Sequence, residues 1–139
     1  MIILDTNVLS ALMLQVPDQK VAAWLDRQPS SAVWTTSITV FELRVGLELL
    51  PIGKRRAGLF ADMERLLASI NNRVVPFDTE AADEAGILMA TRKAEGRPKE
   101  LRDTMIAGIV LSRRASLATR NVRDFDDISA AVVNPWTST

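Results

Sequence analysis

The chain contains no cysteine, no histidine and no tyrosine among its 139 residues. Without thiols there are no disulfides, thiolate metal sites or sulfur nucleophiles. Without histidine the usual proton shuttle near neutral pH and the commonest transition-metal ligand are missing. These absences argue against a Ser-His-Asp hydrolase, a zinc hydrolase and a haem protein. Long apolar stretches are also lacking: the longest run, Met105 to Leu111, spans seven residues, against roughly 20 for a membrane crossing. Met1 to Asp5 has no basic start and meets an acid at once, so no secretory signal is expected and the cytoplasm is the expected compartment, with no membrane partner. Charge of one sign is absent as an excess, since seventeen acids balance seventeen bases. Any binding of a polyanion must therefore be local.

What remains for chemistry is ten Asp, seven Glu, four Lys and thirteen Arg, with hydroxyls and amides. The length and the 47% hydrophobic content suit one core, so a single domain over residues 1–139 is expected. Short apolar runs at Met1 to Leu4, Ala32 to Thr36, Arg73 to Phe77, Ser116 to Thr119 and Ala130 to Val133 predict strands. Between them helical periodicity covers Asn7 to about Leu14, Pro17 to about Gln28, Ile38 to Leu50, a stretch around Leu59 to Ile70, the segment after Asp78 or Thr79, and Arg102 to Arg114. Pro17 reads as a first helical residue, and Ser37 or Thr39 as the cap of the third helix. Strands separated by helices require crossovers, hence a mostly parallel sheet covered on both faces: a three-layer α/β/α sandwich.

Three acids break the apolar pattern. In the third helix the row Ile38, Glu42, Val45 or Gly46, Leu49, expected to face inward, carries an acid at its centre, and in the last helix Asp103 shares a stripe with Ile106, Ala107 and Val110. Asp5 ends the first strand at the carboxyl edge of the sheet, where open α/β folds bind ligands. Each has a local explanation: Asp5 as a helix cap, Glu42 in a Thr39-x-x-Glu42 capping box, Asp103 at a helix dipole. Capping does not explain why two separate helices both turn an acid inward. If the acids converge, each pair about 5 Å apart costs about 3 kcal/mol at an effective dielectric near 20. A cation must answer that repulsion, and carboxylates without histidine or cysteine suit Mg2+ or Mn2+. The loop from Thr119 to Phe125, with Arg120, Asn121, Arg123 and Asp124, reads as a fourth wall or as a polar surface turn.

Leu4-Asp5-Thr6-Asn7-Val8-Leu9, Thr39-Val40-Phe41-Glu42-Leu43, Arg102-Asp103-Thr104-Met105-Ile106-Ala107 and Ala118-Thr119-Arg120-Asn121-Val122-Arg123-Asp124-Phe125 stand in an order and spacing that resembles the PIN-domain ribonucleases of the VapC toxin type. The closing Asn134-Pro135-Trp136 and the stretch Val74 to Asp78 are similar to the FitB-like branch. The resemblance spans essentially the whole chain. It implies a PIN-like fold and a Mg2+- or Mn2+-dependent endoribonuclease, the toxin of a type II toxin-antitoxin pair inhibited by a VapB-type antitoxin. It matches Asp5 and Asp103 to the metal ligands, Glu42 to the central acid and Thr6 to the hydroxyl beside the first acid. FitB-like members place an Asp directly after Thr-Arg, where this chain has Asn121, whereas many VapC chains carry an acid at the place of Asp124. Asp124 is therefore assigned the fourth catalytic place, and Asn121 becomes a neutral ligand or substrate contact. Arg120 and Arg123 are expected on RNA phosphates. A homodimer is also implied; the helix Leu59 to Ile70 reads either as its face or as core.

Two other readings carry different outcomes. A receiver-like signalling module would also gather acids at a parallel sheet, but the adjacent acids after the first strand and a suitably placed lysine are missing. A PIN-fold binding protein with weakened catalysis is motivated by Asn121.

Overall fold

A computed structural model describes residues 1–138. The chain runs β1 (Ile2–Leu4), α1 (Thr6–Leu12), α2 (Gln19–Asp26), β2 (Val33–Thr36), α3 (Ser37–Glu48), α4 (Lys54–Ser69), β3 (Val74–Val75), α5 (Thr79–Ala94), α6 (Leu101–Arg113), β4 (Ser116–Ala118) and β5 (Val132–Val133), with short 3-10 turns at Ser30–Ala32 and Val122–Phe125. The strands form one parallel sheet in the order β3-β2-β1-β4-β5. Neighbouring side chains on a strand point to opposite faces. Ile3 and Leu117 accordingly join the core that includes Ala81, Leu88, Ile106 and Ile109 of α5 and α6. Leu4 and Ala118 join the opposite core, with Val8, Leu9, Val21 and Trp24 of α1 and α2. This is the expected α/β/α sandwich.

Several local expectations shift by a residue or two. Asp18, whose carboxylate accepts from the amides of Lys20 and Val21, caps α2, so Pro17 lies just outside the helix. Thr36 caps α3 by accepting from the Thr39 amide at 3.1 Å. The cap is thus neither Ser37 nor Thr39, and no Thr39–Glu42 capping box forms, because β2 passes directly into the helix. The strand expected over Ala130 to Val133 shortens to Val132–Val133, in register with Leu117 and Ala118, with the Ala131 carbonyl accepting from the Leu117 amide at 2.9 Å. The inner row of α4 is core: Met63 is buried against Met13 and Leu47, with Leu59, Leu66 and Leu67 around it. The apolar side chains left exposed nearby are Phe41, Val45, Leu49, Ile52 and Phe60. Among the described residues no helix is long and apolar enough to cross a membrane.

Two features of this scaffold set the site. Strand order departs in opposite directions from β1, to β2 on one side and β4 on the other, and the crevice at such a reversal opens at the carboxyl ends of the strands. In addition, α5 and α6 approach so closely that a Cβ on Gly108 would stand 2.5 Å from the Ala81 carbonyl oxygen and 2.6 Å from the Ala85 Cβ. A glycine there allows the two helices to meet and fixes the height of α6, with Asp103 in its first turn.

Candidate active site

Asp5 is the residue immediately after β1, and Thr119 the residue after β4. The register pairs Leu4 with Ala118, which brings the two side chains together: the Thr119 hydroxyl donates to Asp5 Oδ2 at 2.8 Å. The Asp5 Oδ1 accepts from the Thr6 amide at 2.7 Å, so the capping role and the inward placement are both realised. Asn7 closes the network, donating from Nδ2 to Thr119 Oγ1 at 3.3 Å and accepting from the Arg120 amide at 3.1 Å. Asp5 is 3% exposed. Burial pushes its carboxyl above the ordinary range more than the bonds from Thr119 and Thr6 draw it down, and the charge of Asp124 adds to the rise.

Glu42 reaches the same place from α3. Its Oε1 accepts from the Thr6 hydroxyl at 3.1 Å, and Thr6 Oγ1 is itself 3.0 Å from Thr39 Oγ1. Burial raises the Glu42 carboxyl, opposed by the Thr6 bond and by Arg102, whose Nη1 lies 4.0 Å from Oε2. Asp103 enters from the first turn of α6, where Glu100 is the cap and accepts from the Asp103 amide at 3.0 Å. Its carboxyl is pushed up to about 6, first by desolvation and then by the charges of Asp5, Glu100, Asp124 and Glu42.

The four acids singled out in the sequence therefore act on one another across three elements and a loop. Among the described residues Asp5, Asp103 and Asp124 have no ion-pair partner; the cation that reaches the group is Arg102, shared between Glu42 and Glu100. No group of three acids among the described residues is arranged to hold a metal ion directly. A smaller set of direct ligands fits Mg2+, which keeps several waters and is commonly bound through one or two carboxylates. The donors are hard oxygens with their charge unrelieved, the chemistry such an ion requires.

The remaining expected residues lie around this group. Thr6 is within it. Asn121 is exposed, and its amide donates to Thr119 Oγ1 at 3.1 Å. The Arg120 guanidinium sits 4.8 Å from the centroid of the Trp136 ring at the rim. Arg123 is exposed in the 3-10 turn, its carbonyl accepting from Lys99, and no contact draws its side chain toward the acids. A cleft of about 900 Å³ leads away from Thr6, Glu42 and Arg102, with Leu43 and Leu47 in its wall and Lys54 and Arg65 along its length. Thr119 was expected only as the start of a possible loop wall, not as the partner of Asp5, and Arg102 was not expected in the site. Thr119 carried a signal, since it follows a strand adjacent to β1; Arg102 is an ordinary helix-start residue until α6 is placed.

A parallel sheet with carboxylates collected at the reversal beside β1 defines the class, and residues 2–131 match the family described as PIN domain. The chain belongs to the PIN-domain family. It is 38% identical over 137 residues to the VapC ribonuclease Y4jK of Sinorhizobium fredii, covering 98% of each chain. It is 35% identical over 137 residues to Toxin FitB of Neisseria gonorrhoeae, covering 98% of this chain and 99% of that protein. The crystal structure of FitAcB from Neisseria gonorrhoeae superposes with a TM-score of 0.89 at 34% identity, covering 99% of this chain and 100% of the other. The expected resemblance to VapC-type and FitB-like proteins is thereby borne out.

Proposed function

We propose that the chain is a Mg2+- or Mn2+-dependent endoribonuclease, the toxin of a type II toxin-antitoxin pair, acting on RNA in the cytoplasm. The observation that carries this reading is the gathering of Asp5, Glu42 and Asp103, each with its carboxyl raised and with little counter-charge, within reach of the charge of Asp124. Its similarity to proteins named VapC ribonuclease and Toxin FitB supports the choice of RNA as substrate and the role of toxin, and its likeness to a member of the VapBC family of toxin-antitoxin systems supports a VapB-type antitoxin as partner.

Asp5 and Asp103 would hold the divalent ion, which supplies an acidified water and neutralises charge on the phosphoryl group when bound. The Thr6 amide on Oδ1 and the Thr119 hydroxyl and Asn7 side-chain amide on Oδ2 keep the Asp5 carboxylate in a single orientation. Glu42, steadied by the Thr6 hydroxyl, is placed to orient the attacking water and take its proton. Asp124 is the fourth acid in this reading, supported by the reach of its charge to both Asp5 and Asp103. As water attacks phosphorus, the bond to the leaving ribose oxygen breaks and that oxygen takes a proton from solvent water. Arg120 and Arg123 contact flanking phosphates and orient the strand without reading its sequence. The cleft beside Glu42, with apolar walls, takes a segment of the antitoxin.

The test is incubation of purified, antitoxin-free protein with a broad panel of RNAs, with Mg2+ or Mn2+ and with chelator. Cleavage that requires the ion supports the reading; intact RNA throughout the panel would move the assignment to a PIN-fold binding protein.

A further inference from the structure

We propose that Arg92 is a positioning residue for the acid site, holding the loop that carries Asp124 against the helix that carries Asp103. The inference deepens the nuclease reading and rests on it for its catalytic consequence. Arg92 lies on α5, which contributes none of the four acids. Its row on the helix is Ala81, Ala85, Leu88 and Arg92, so a guanidinium occupies the inward stripe at the end of an apolar series. The residue is 1% exposed. An unpaired arginine at that depth would be strongly destabilising, and the fork is answered on every side.

Two of its donors take both oxygens of one carboxylate, Nε to Asp127 Oδ2 at 2.8 Å and Nη2 to Asp127 Oδ1 at 2.7 Å. The same Nη2 donates to the Asp124 carbonyl at 3.1 Å, and Nη1 donates to the Thr104 hydroxyl at 3.0 Å. Thr104 adjoins Asp103, and the Asp124 carbonyl belongs to the fourth acid itself. One rigid, planar group thus spans α5, α6 and the loop, with contacts next to two of the acids. The paired fork fixes direction as well as distance, which an ammonium does not.

The start of this loop is held by the Arg120 amide on Asn7 and the Asn121 amide on Thr119, and its far side by Arg97 on Asp126. Its 3-10 turn is anchored by buried Phe125 and by Lys99, which reaches the Arg123 carbonyl and Asp126. Of these contacts the Arg92 fork is the one that ties the Asp124 backbone to both α5 and α6, since the same guanidinium binds the Asp124 carbonyl, Asp127 and Thr104. Buried ion pairs are often replaceable by apolar residues without loss of stability, so geometry is the distinctive contribution of such a pair.

The experiment replaces both charges at once, Arg92→Met with Asp127→Leu, so that no lone buried charge remains, beside the conservative Arg92→Lys. Amide hydrogen exchange over residues 121–128 and RNA cleavage are both measured, alone and combined with Asp124→Asn. The proposal expects a folded protein whose loop amides exchange at least about tenfold faster, with β1 unchanged. It expects kcat to fall at least about tenfold with KM little altered, and no further loss on adding Asp124→Asn, because the two act as a unit. Unchanged loop exchange, cleavage at the unsubstituted rate, losses that multiply with Asp124→Asn, or failure of both variants to fold each overturns it. If the unsubstituted protein cleaves no RNA, the nuclease reading fails with the catalytic part of the proposal, and loop exchange alone decides whether Arg92 holds the loop.

Discussion

Thr119 and Asp5, 114 positions apart in the chain, are joined by a 2.8 Å hydrogen bond because each is the first residue beyond one of two adjacent parallel strands. The bond stabilises the charged carboxylate, yet burial still holds the Asp5 carboxyl above its ordinary range. The fold thus builds a site that resists becoming fully charged without a cation. That relationship governs the predictions.

Asp5→Asn and Asp103→Asn should each lower RNA cleavage by about a hundredfold or more while leaving the protein folded. Each removes one repelling charge, and asparagine retains an acceptor for the Thr6 amide at position 5. Without metal, stability should be unchanged or higher, by up to about 1 kcal/mol for the half-exposed Asp103 once solvent screening is allowed for. Thermal unfolding beside a cleavage assay checks both; a variant that cleaves at the unsubstituted rate contradicts the assignment.

The metal-free protein should lose stability as pH rises. The Asp103 carboxyl moves from an ordinary 3.8 to about 6 in the folded chain, so the native state binds more protons than the unfolded state in that interval. The stability contribution is present below the lower value and lost as pH climbs through the upper one; the raised carboxyls of Asp5 and Glu42 act in the same direction. Melting temperature in chelator should therefore fall between about pH 4 and pH 7, with a shallower fall in Asp103→Asn.

Asp124 and Asn121 compete for the fourth place in the site, and substitution separates them. Asp124→Asn should reduce cleavage at least about tenfold, whereas Asn121→Ala, which leaves the backbone bond to Thr119 intact, should change it by no more than a few-fold. Initial rates at saturating RNA decide. The reverse order would place the FitB-like position, rather than the VapC-like one, in the chemistry.

Much of this site was legible before any fold was drawn. Asp103 interrupts an apolar helical row and Asp5 closes a strand. The row expected inward through Glu42 is not the buried one, since Val45 and Leu49 are exposed and α3 buries Ile38, Thr39 and Leu47; Glu42 nonetheless meets the Thr6 hydroxyl, and its charge, with those of Asp5 and Asp124, acts on Asp103. Arg92 interrupts the α5 row in the same manner as Asp103 does its own, but a long basic side chain is easily read as reaching past the core to water. Its partners, Asp127 and the Asp124 carbonyl, lie 35 and 32 residues away and become neighbours through tertiary packing alone. The cap of α3 was misplaced for a local reason, since β2 and α3 share no intervening loop and Thr36 serves both. The edge strands β3 and β5 are two residues each, too short for a two-residue period to define their ends.

Gly108→Ala should destabilise the protein by about 1–3 kcal/mol or more, because the new methyl meets a carbonyl oxygen and a backbone nitrogen of α5 rather than a flexible side-chain tip. Denaturant unfolding measures it. Gly86→Ala, where nothing stands within 4 Å, is the control and should be neutral or mildly stabilising.

The most direct measurement of the central claim is a Mn2+ titration of the antitoxin-free protein followed by electron paramagnetic resonance. The account predicts a bound ion that Mg2+ displaces and that is lost in both Asp5→Asn and Asp103→Asn. Absence of binding, or equal binding by those variants, would contradict it.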